Sequence, residues 1–577
     1  MNGPSSQTPH YSHSSEPARR STTVDAAFAS FLLAALLVLA GCANPPINSL
    51  VTAHGNTDWH INTAHKFATG TGYNDGETVA NSAPASWTTR HAHIGASNTA
   101  HYYYDPSVTS PGDDADATDG IDQLMLFFYA GHGNPTIWNT LGDNGTQANV
   151  RLGNSDQSGY LRYYWQCSCD VFAHGPRDGT CGKAGTFEYA CPRQFDGSAD
   201  SSDMRNVYER WGASLGPQLR MACGASTAAY CHGAQVDKIW DDYNNKGYDV
   251  ADAFIDGLDT GGVVPLCIAR GGENAWDTPL YDTTFTNAAN DTGGTKLYLQ
   301  YLETFKPIPF PIPIEIPPKL PVWKVIPDPP PPDFRQLTFR RVDGVLIAEG
   351  DALQALRTTA LRAANANVRQ ARMRSESGAL YLKGETRARS AGAGMDEQRY
   401  VDAARAVAVL VAGDVSSMSP PQARRMVIAS QGPVRVAAGV QGQETPQQKN
   451  VIVTFRRTIA VEGVRTPVPV FGRGGLVEVQ LANDGALQNA SKVWRRLDGV
   501  ARETETKSLA QAQQEAMQQF PRSDAYKLAR WQWGYKEDAG NAVQRELMAY
   551  YFLEFEPRNL NERTQLPPVM IEVLAHR

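Results

Sequence analysis

A histidine and a cysteine each follow a long apolar run in this chain. The first run is QLMLFFYA at 123–130, and it stops at Gly131, His132, Gly133 and Asn134. The second is YLRYYW at 160–165, and it ends at Gln166, Cys167, Ser168, Cys169 and Asp170. Near-continuous apolar runs of this length read as strands buried on both faces, as in a parallel sheet. A titratable residue flanked by glycine at a strand's carboxyl end sits where α/β sheets place ligands. If the two strands are neighbours, both side chains project from one sheet edge. That arrangement suits nucleophilic catalysis. A thiol at its free pKa of about 8.5 is mostly protonated at neutral pH. A nearby imidazole can take the proton, and the Gly133 N–H can donate to an oxyanion.

These blocks resemble those of the caspase, gingipain and legumain group of cysteine peptidases. LFFYAGHGN at 126–134 matches the histidine block, and Ser168-Cys169 matches the cysteine block less closely, because Asp170, Val171 and Phe172 follow where the group has a glycine. The resemblance spans about residues 90–270. It implies a His132/Cys169 dyad with Gly133 at the oxyanion hole. Cys169 is preferred as nucleophile because the small Ser168 precedes it, and Cys167 is the alternative. The same segment is similar to a bacterial domain family of undetermined function, through the His-Gly block and Trp211-Gly212 with Gly224.

The chain has eight cysteines, and all but Cys42 lie between 167 and 267. Export favours disulfides. Short separations suggest Cys181–Cys191 and Cys223–Cys231 as local staples, with Cys267 on a strand at 263–269 taking Cys167. Cys169 is then the unpaired thiol. Four metal thiolates at 167, 169, 181 and 191 are the competing reading, but their spacing lacks the paired knuckles of structural zinc sites. Asp113, Asp114, Asp116 and Asp119 form an acidic loop that could bind calcium. They lack the EF-hand pattern, and a solvated loop is the plainer reading. No cofactor and no metal is expected. His174, His232 and the pair His91 and His93 read as turn or surface residues. Asp241 and Asp242, on a helix around 236–243, could meet a basic substrate group, with solvent exposure as the default.

The export signal is the plainest feature outside these blocks. Arg19 and Arg20 precede an apolar stretch at 26–40 that closes in Leu39, Ala40, Gly41 and Cys42. The stretch is shorter than the roughly 20 residues a spanning helix needs, and it reads as a secretory signal. Leu-Ala-Gly-Cys resembles the bacterial lipobox, which implies lipidation of Cys42, a membrane partner, and a place in the cell envelope. Ala43 resembles the sorting residue of proteins sent to an outer membrane. A net charge of −7 gives no sign of a nucleic-acid partner.

The elements that must position the dyad fall into an expected order. Residues 1–41 are the signal peptide and 42–55 a tether. Residues 56–304 are expected to form a caspase-like α/β domain, a mostly parallel sheet flanked by helices. The segment 305–334 holds twelve prolines within 306–333 and is expected to be an extended spacer without a central strand. Residues 335–577 are expected to form an α+β accessory domain, helix on antiparallel sheet. There, 351–370 and 507–520 read as helices, the second with Ser508 and Gln511 as a capping box. The stretches 451–458, 476–481 and 547–555 read as strands. Gly472-Arg473-Gly474-Gly475 reads as a hairpin turn. The region 451–495 resembles PepSY-type propeptide modules, through Thr454 to Arg457, Pro467 to Val470, Gly474-Gly475, Val477 to Gly485 and Trp494-Arg495. That implies a restraining or chaperoning role. The expected activity is that of an exported cysteine endopeptidase acting on protein or peptide. The alternative is an inactive binding or adhesion lipoprotein, and a third reading is a structural lipoprotein whose cysteines are all paired or metal-bound.

Overall fold

A computed structural model describes residues 49–54, 88–94, 125–130, 132–133, 137–140, 143–146, 162–167, most of 215–304, and 315–577 apart from short breaks and 354–367, 385–393, 432–446 and 559–568. The chain divides into two compact units, Met1–Asn44 and Pro45–Arg577. All described residues belong to the second. The expected helix at 351–370 lies largely outside them, and its last three residues are strand.

In chain order the first strands are β1 (Ser49–His54), β2 (Thr88–Ile94), β3 (Leu126–Ala130), β4 (His132–Gly133), β5 (Ile137–Thr140), β6 (Asp143–Thr146), β7 (Tyr163–Cys167), β8 (Met221–Ala225), β9 (Pro265–Gly271) and β10 (Lys296–Thr304). Then come β11 (Lys319–Ile326), β12 (Arg340–Val342), β13 (Val345–Glu349), β14 (Val368–Arg374), β15 (Leu380–Gly384), β16 (Gln422–Gln431), β17 (Gln447–Arg456) and β18 (Thr458–Ile459). The last are β19 (Val468–Phe471), β20 (Leu476–Ala482), β21 (Leu487–Val493), β22 (Arg496–Glu505), β23 (Tyr526–Lys536), β24 (Glu546–Pro557) and β25 (Val569–Leu574). The helices are α1 (Gly233–Asp241), which runs on as a π-helical turn (Asp242–Lys246), α2 (Val250–Leu258), α3 (Glu397–Ala412) and α4 (Leu509–Met517).

The expected α/β fold is overturned: the protein is mostly β. One mixed sheet of 15 strands runs β12-β13-β14-β15-β21-β20-β17-β16-β10-β9-β8-β7-β3-β1-β2. Pairing is parallel only among β2, β1, β3, β7 and β8. From β8 to β9 onward every neighbour is antiparallel. The two apolar runs do become parallel strands, but they form one end of a sheet whose other members are antiparallel. A second sheet has seven strands, β18-β19-β23-β24-β11-β22, with β25 on β24, and β4-β5-β6 form a small third sheet.

The large sheet draws strands from both sides of the Pro-rich segment, because β10 and β16 pair from Leu297↔Gln431 to Thr304↔Arg424. Within that segment 319–326 is β11, a central strand between β22 and β24, where the sequence suggests none. The prolines are unevenly spread, and KLPVWKVI contains one. Pro321 donates nothing to the ladder, but its carbonyl accepts from the Tyr535 hydroxyl at 3.0 Å. Leu320, Val322 and Val325 are buried.

Helices cover the sheet on both faces. α3 sets Tyr400, Ala404, Val407 and Val411 against Val477, Val479 and Leu481 of β20. Successive strand residues point to opposite faces, so Glu478 and Gln480 face the α1–α2 hairpin instead. That hairpin is close. A Cβ on Gly257 would lie 2.8 Å from the Ile239 backbone nitrogen. At α4 the anticipated capping box forms, with Ser508 and Gln511 satisfying each other's backbone N–H. Ser508→Ala should cost about 1 kcal/mol, read as a lower denaturant midpoint at unchanged m-value.

Gly472 to Gly475 is a crossing between sheets, not a hairpin turn, since β19 pairs with β18 and β23 while β20 pairs with β17 and β21. Gly472 has φ +88°, and a Cβ there would meet the Glu537 carbonyl oxygen at 2.4 Å. The Glu537 carboxylate is fully buried and accepts from the Arg495 backbone N–H at 2.5 Å. Burial outweighs the nearby Arg457 and Arg495 and pushes this carboxyl up to about 7. A folded pKa above the unfolded one stabilises fully below the unfolded value, and that contribution is lost as pH rises through the folded value. Glu537→Gln should therefore flatten the decline in unfolding free energy between about pH 4.5 and 7, measured by urea titrations across that range.

Candidate functional site

The sheet edge beyond β3 and β7 is where the sequence places its chemistry. The strands are hydrogen-bonded parallel neighbours, from Leu126↔Tyr163 to Ala130↔Cys167. The numbering offset between partners equals that between His132 and Cys169. In the sequence His132 and Cys169 each come two positions after the last pair. His132 and Gly133 then form β4, opposite Asn139 and Trp138 of β5. Cys169, Cys181, Cys191, Cys231 and Cys42 lie outside the described residues, as do the aspartates at 113–119, His174, His232 and Trp211. His91 and His93 fall on β2.

β7 is held from beneath by aromatic packing. Trp165 lies 5.3 Å from Trp240, 5.5 Å from Phe254 and 5.5 Å from Phe285, ring centre to ring centre. Each such pair adds about 0.5–1.5 kcal/mol beyond area burial. The Tyr163 hydroxyl donates to Asp282 at 2.7 Å, and Arg220 binds the same carboxylate through Nε and Nη2.

The disulfides differ from the expected pairing. Cys223 is bonded to Cys267, 44 residues away. They are direct partners across β8 and β9, with Cα atoms 4.0 Å apart. Register in the sheet outweighs nearness in sequence, so neither Cys223–Cys231 nor Cys167–Cys267 forms. Cys167 is buried and disulfide-bonded, which removes it as the alternative nucleophile. Its partner lies among the cysteines outside the described residues.

A second constellation, under α1–α2, was not legible in the sequence. Asp242 is fully buried, not solvent-exposed. Lys238 Nζ lies 2.8 Å from Asp242 Oδ2, and Lys246 Nζ lies 2.7 Å from Asp242 Oδ1. Lys238 also pairs with Asp256, and Lys246 with Glu478 of β20. Arg424 of β16 reaches Asp256 and Asp259, each at 2.7 Å. Oxygens of Asp242, Asp256 and Glu478 lie within 4.8 Å of one another, a spacing that could hold a metal. Lys238, Lys246 and Arg424 already neutralise that triad, so the arrangement is a closed ionic cluster. Burial pushes the Asp242 carboxyl up to about 7, against the pull of both lysines. Burial would raise Asp256 too, but Lys238 and Arg424 hold it far below its ordinary value.

Beside it Lys449 of β17 is buried, with Nζ 2.8 Å from Asp252 Oδ1, 3.0 Å from Asp249 and 2.6 Å from the Leu280 carbonyl. Asp252 also accepts from Gln300, Asn450 and Gln480 at 2.5–2.8 Å. The available signals were weak: Lys238, Asp242 and Lys246 recur at helical spacing, and Glu478 and Gln480 alternate with apolar neighbours.

No family model and no curated protein matches the chain. Among solved structures it is similar to an uncharacterized protein from Eubacterium rectale, at 8% identity and a TM-score of 0.24 over 44% of this chain and 82% of that one. A likeness that slight carries no argument about fold or activity, so the functional reading rests on the residues themselves.

Proposed function

We propose that the chain is an exported, lipid-anchored thiol hydrolase of the cell envelope that cleaves peptide bonds with a His132/Cys169 dyad. The observation that supports this most is the parallel pairing of β3 with β7, the two strands that His132 and Cys169 follow in the sequence. His132 takes the proton from the Cys169 thiol. The thiolate attacks the scissile carbonyl, and the Gly133 N–H donates to the oxyanion that forms. His132 then returns its proton to the leaving amine, and water releases the acyl group by the reverse steps. Lipid on Cys42 holds the protein at a membrane. No cofactor enters the scheme. The Cys167 disulfide removes Cys167 as the alternative nucleophile.

The test is hydrolysis of an unstructured polypeptide by the exported protein. Alkylation that maps to Cys169 should abolish cleavage. A protein that cleaves nothing but retains a peptide ligand would favour the second reading, an inactive binding lipoprotein.

A further inference from the structure

A cleft of about 350 Å³ opens beside the ionic cluster, between the π-helical turn and strands β14 and β15. That volume suits a small ligand. Its charged lining residues are Lys246, Arg372 and Lys383, and no carboxylate lines it. The charge of Lys246 is already matched by Asp242 and Glu478. Among the described residues the other two have no carboxylate partner. Arg372 donates from Nη1 to the Asn244 carbonyl at 3.0 Å, while its Nε is buried with no acceptor. It has no carboxylate ion-pair partner among the described residues. Glu349 acts on it only through space, and Arg374 repels it. Arg374 in turn donates to the Asn245 side chain at 3.0 Å rather than to a carboxylate. Lys383 is exposed, with its methylenes lying against Gly247. Tyr381 completes the same wall with its ring, and its hydroxyl lies beside Gly540, outside the cleft lining.

Partly buried guanidinium groups are expensive unless an anion meets them. Arginine also presents its donors in a fork that fits carboxylate and phosphate oxygens. We propose that this cleft binds a small ligand through an oxyanion group, carboxylate or phosphate, gripped by Arg372 and Lys383. The site is separate from the β3–β7 edge and does not depend on the dyad.

The full exported chain should be titrated calorimetrically at low salt with inorganic phosphate and, separately, with succinate. Saturable 1:1 binding of either probe is expected. Phosphate alone would identify a phosphate site, succinate alone a carboxylate site, and both a site selecting charge only. Arg372→Gln and Lys383→Gln should each weaken binding about tenfold or more, with melting temperatures held. Lys383→Gln remains informative if Arg372→Gln fails to fold, because Lys383 is exposed. No saturable binding of either probe, or binding unchanged in Lys383→Gln, would overturn the proposal.

Discussion

Lys449→Met should destabilise the folded chain by about 3–5 kcal/mol, the usual cost of leaving a buried charge without its partner. That is a large share of the roughly 5–15 kcal/mol that holds a typical protein together. Lys449 is buried in β17, and Asp252 beneath it on α2 is fully buried. The lysine is the cation on this carboxylate, while Gln300, Asn450 and Gln480 supply neutral N–H donors. Those amides cannot cancel the charge. The partner substitution sharpens the test. Asp252→Asn keeps the shape and removes the charge, so the double variant should recover part of what Lys449→Met loses. Urea midpoints for the four proteins give the coupling. A single-variant loss below about 1 kcal/mol would mean that the amides alone satisfy Asp252.

Cys169→Ala and His132→Ala should each lower kcat for polypeptide hydrolysis by about a thousandfold or more. The double variant should be little worse than either alone, because nucleophile and base act as one unit. KM should change little in each case. Independent, additive losses would argue against a dyad. Cys167→Ala is a useful contrast, because it removes one end of a disulfide. Its expected effect is lower stability rather than loss of the nucleophile.

Much of the local structure was legible, for definite reasons. LFFYA and YYWQC become strands, and YYWQC is buried along its whole length, because a nearly apolar run with no wet side must be covered on both faces. Ser508 and Gln511 cap α4 since that motif acts within four residues. What failed was everything decided at a distance. Parallel strands at one end of the sheet implied an α/β fold, but nothing local in 265–271 announces that β9 pairs antiparallel to β8. Cys223 and Cys267 meet through that pairing, which sequence separation hides. Alternation in 476–482 suggests a strand with one wet face. Its polar side is instead buried under α1–α2, where Glu478 meets Lys246. Polar residues inside look like polar residues outside until their partners are known. At the candidate edge, the two apolar runs do pair as parallel neighbours, from Leu126↔Tyr163 to Ala130↔Cys167.

The pH dependence of thiol alkylation at Cys169 tests the central claim most directly. The folded, exported protein would be treated with iodoacetamide across about pH 4–9 and the labelled cysteine mapped by mass. A dyad predicts that Cys169 reacts, that its thiolate forms well below the free-cysteine pKa of about 8.5, and that His132→Ala restores the ordinary value. A Cys169 that does not react, or whose profile is the same with and without His132, would contradict it.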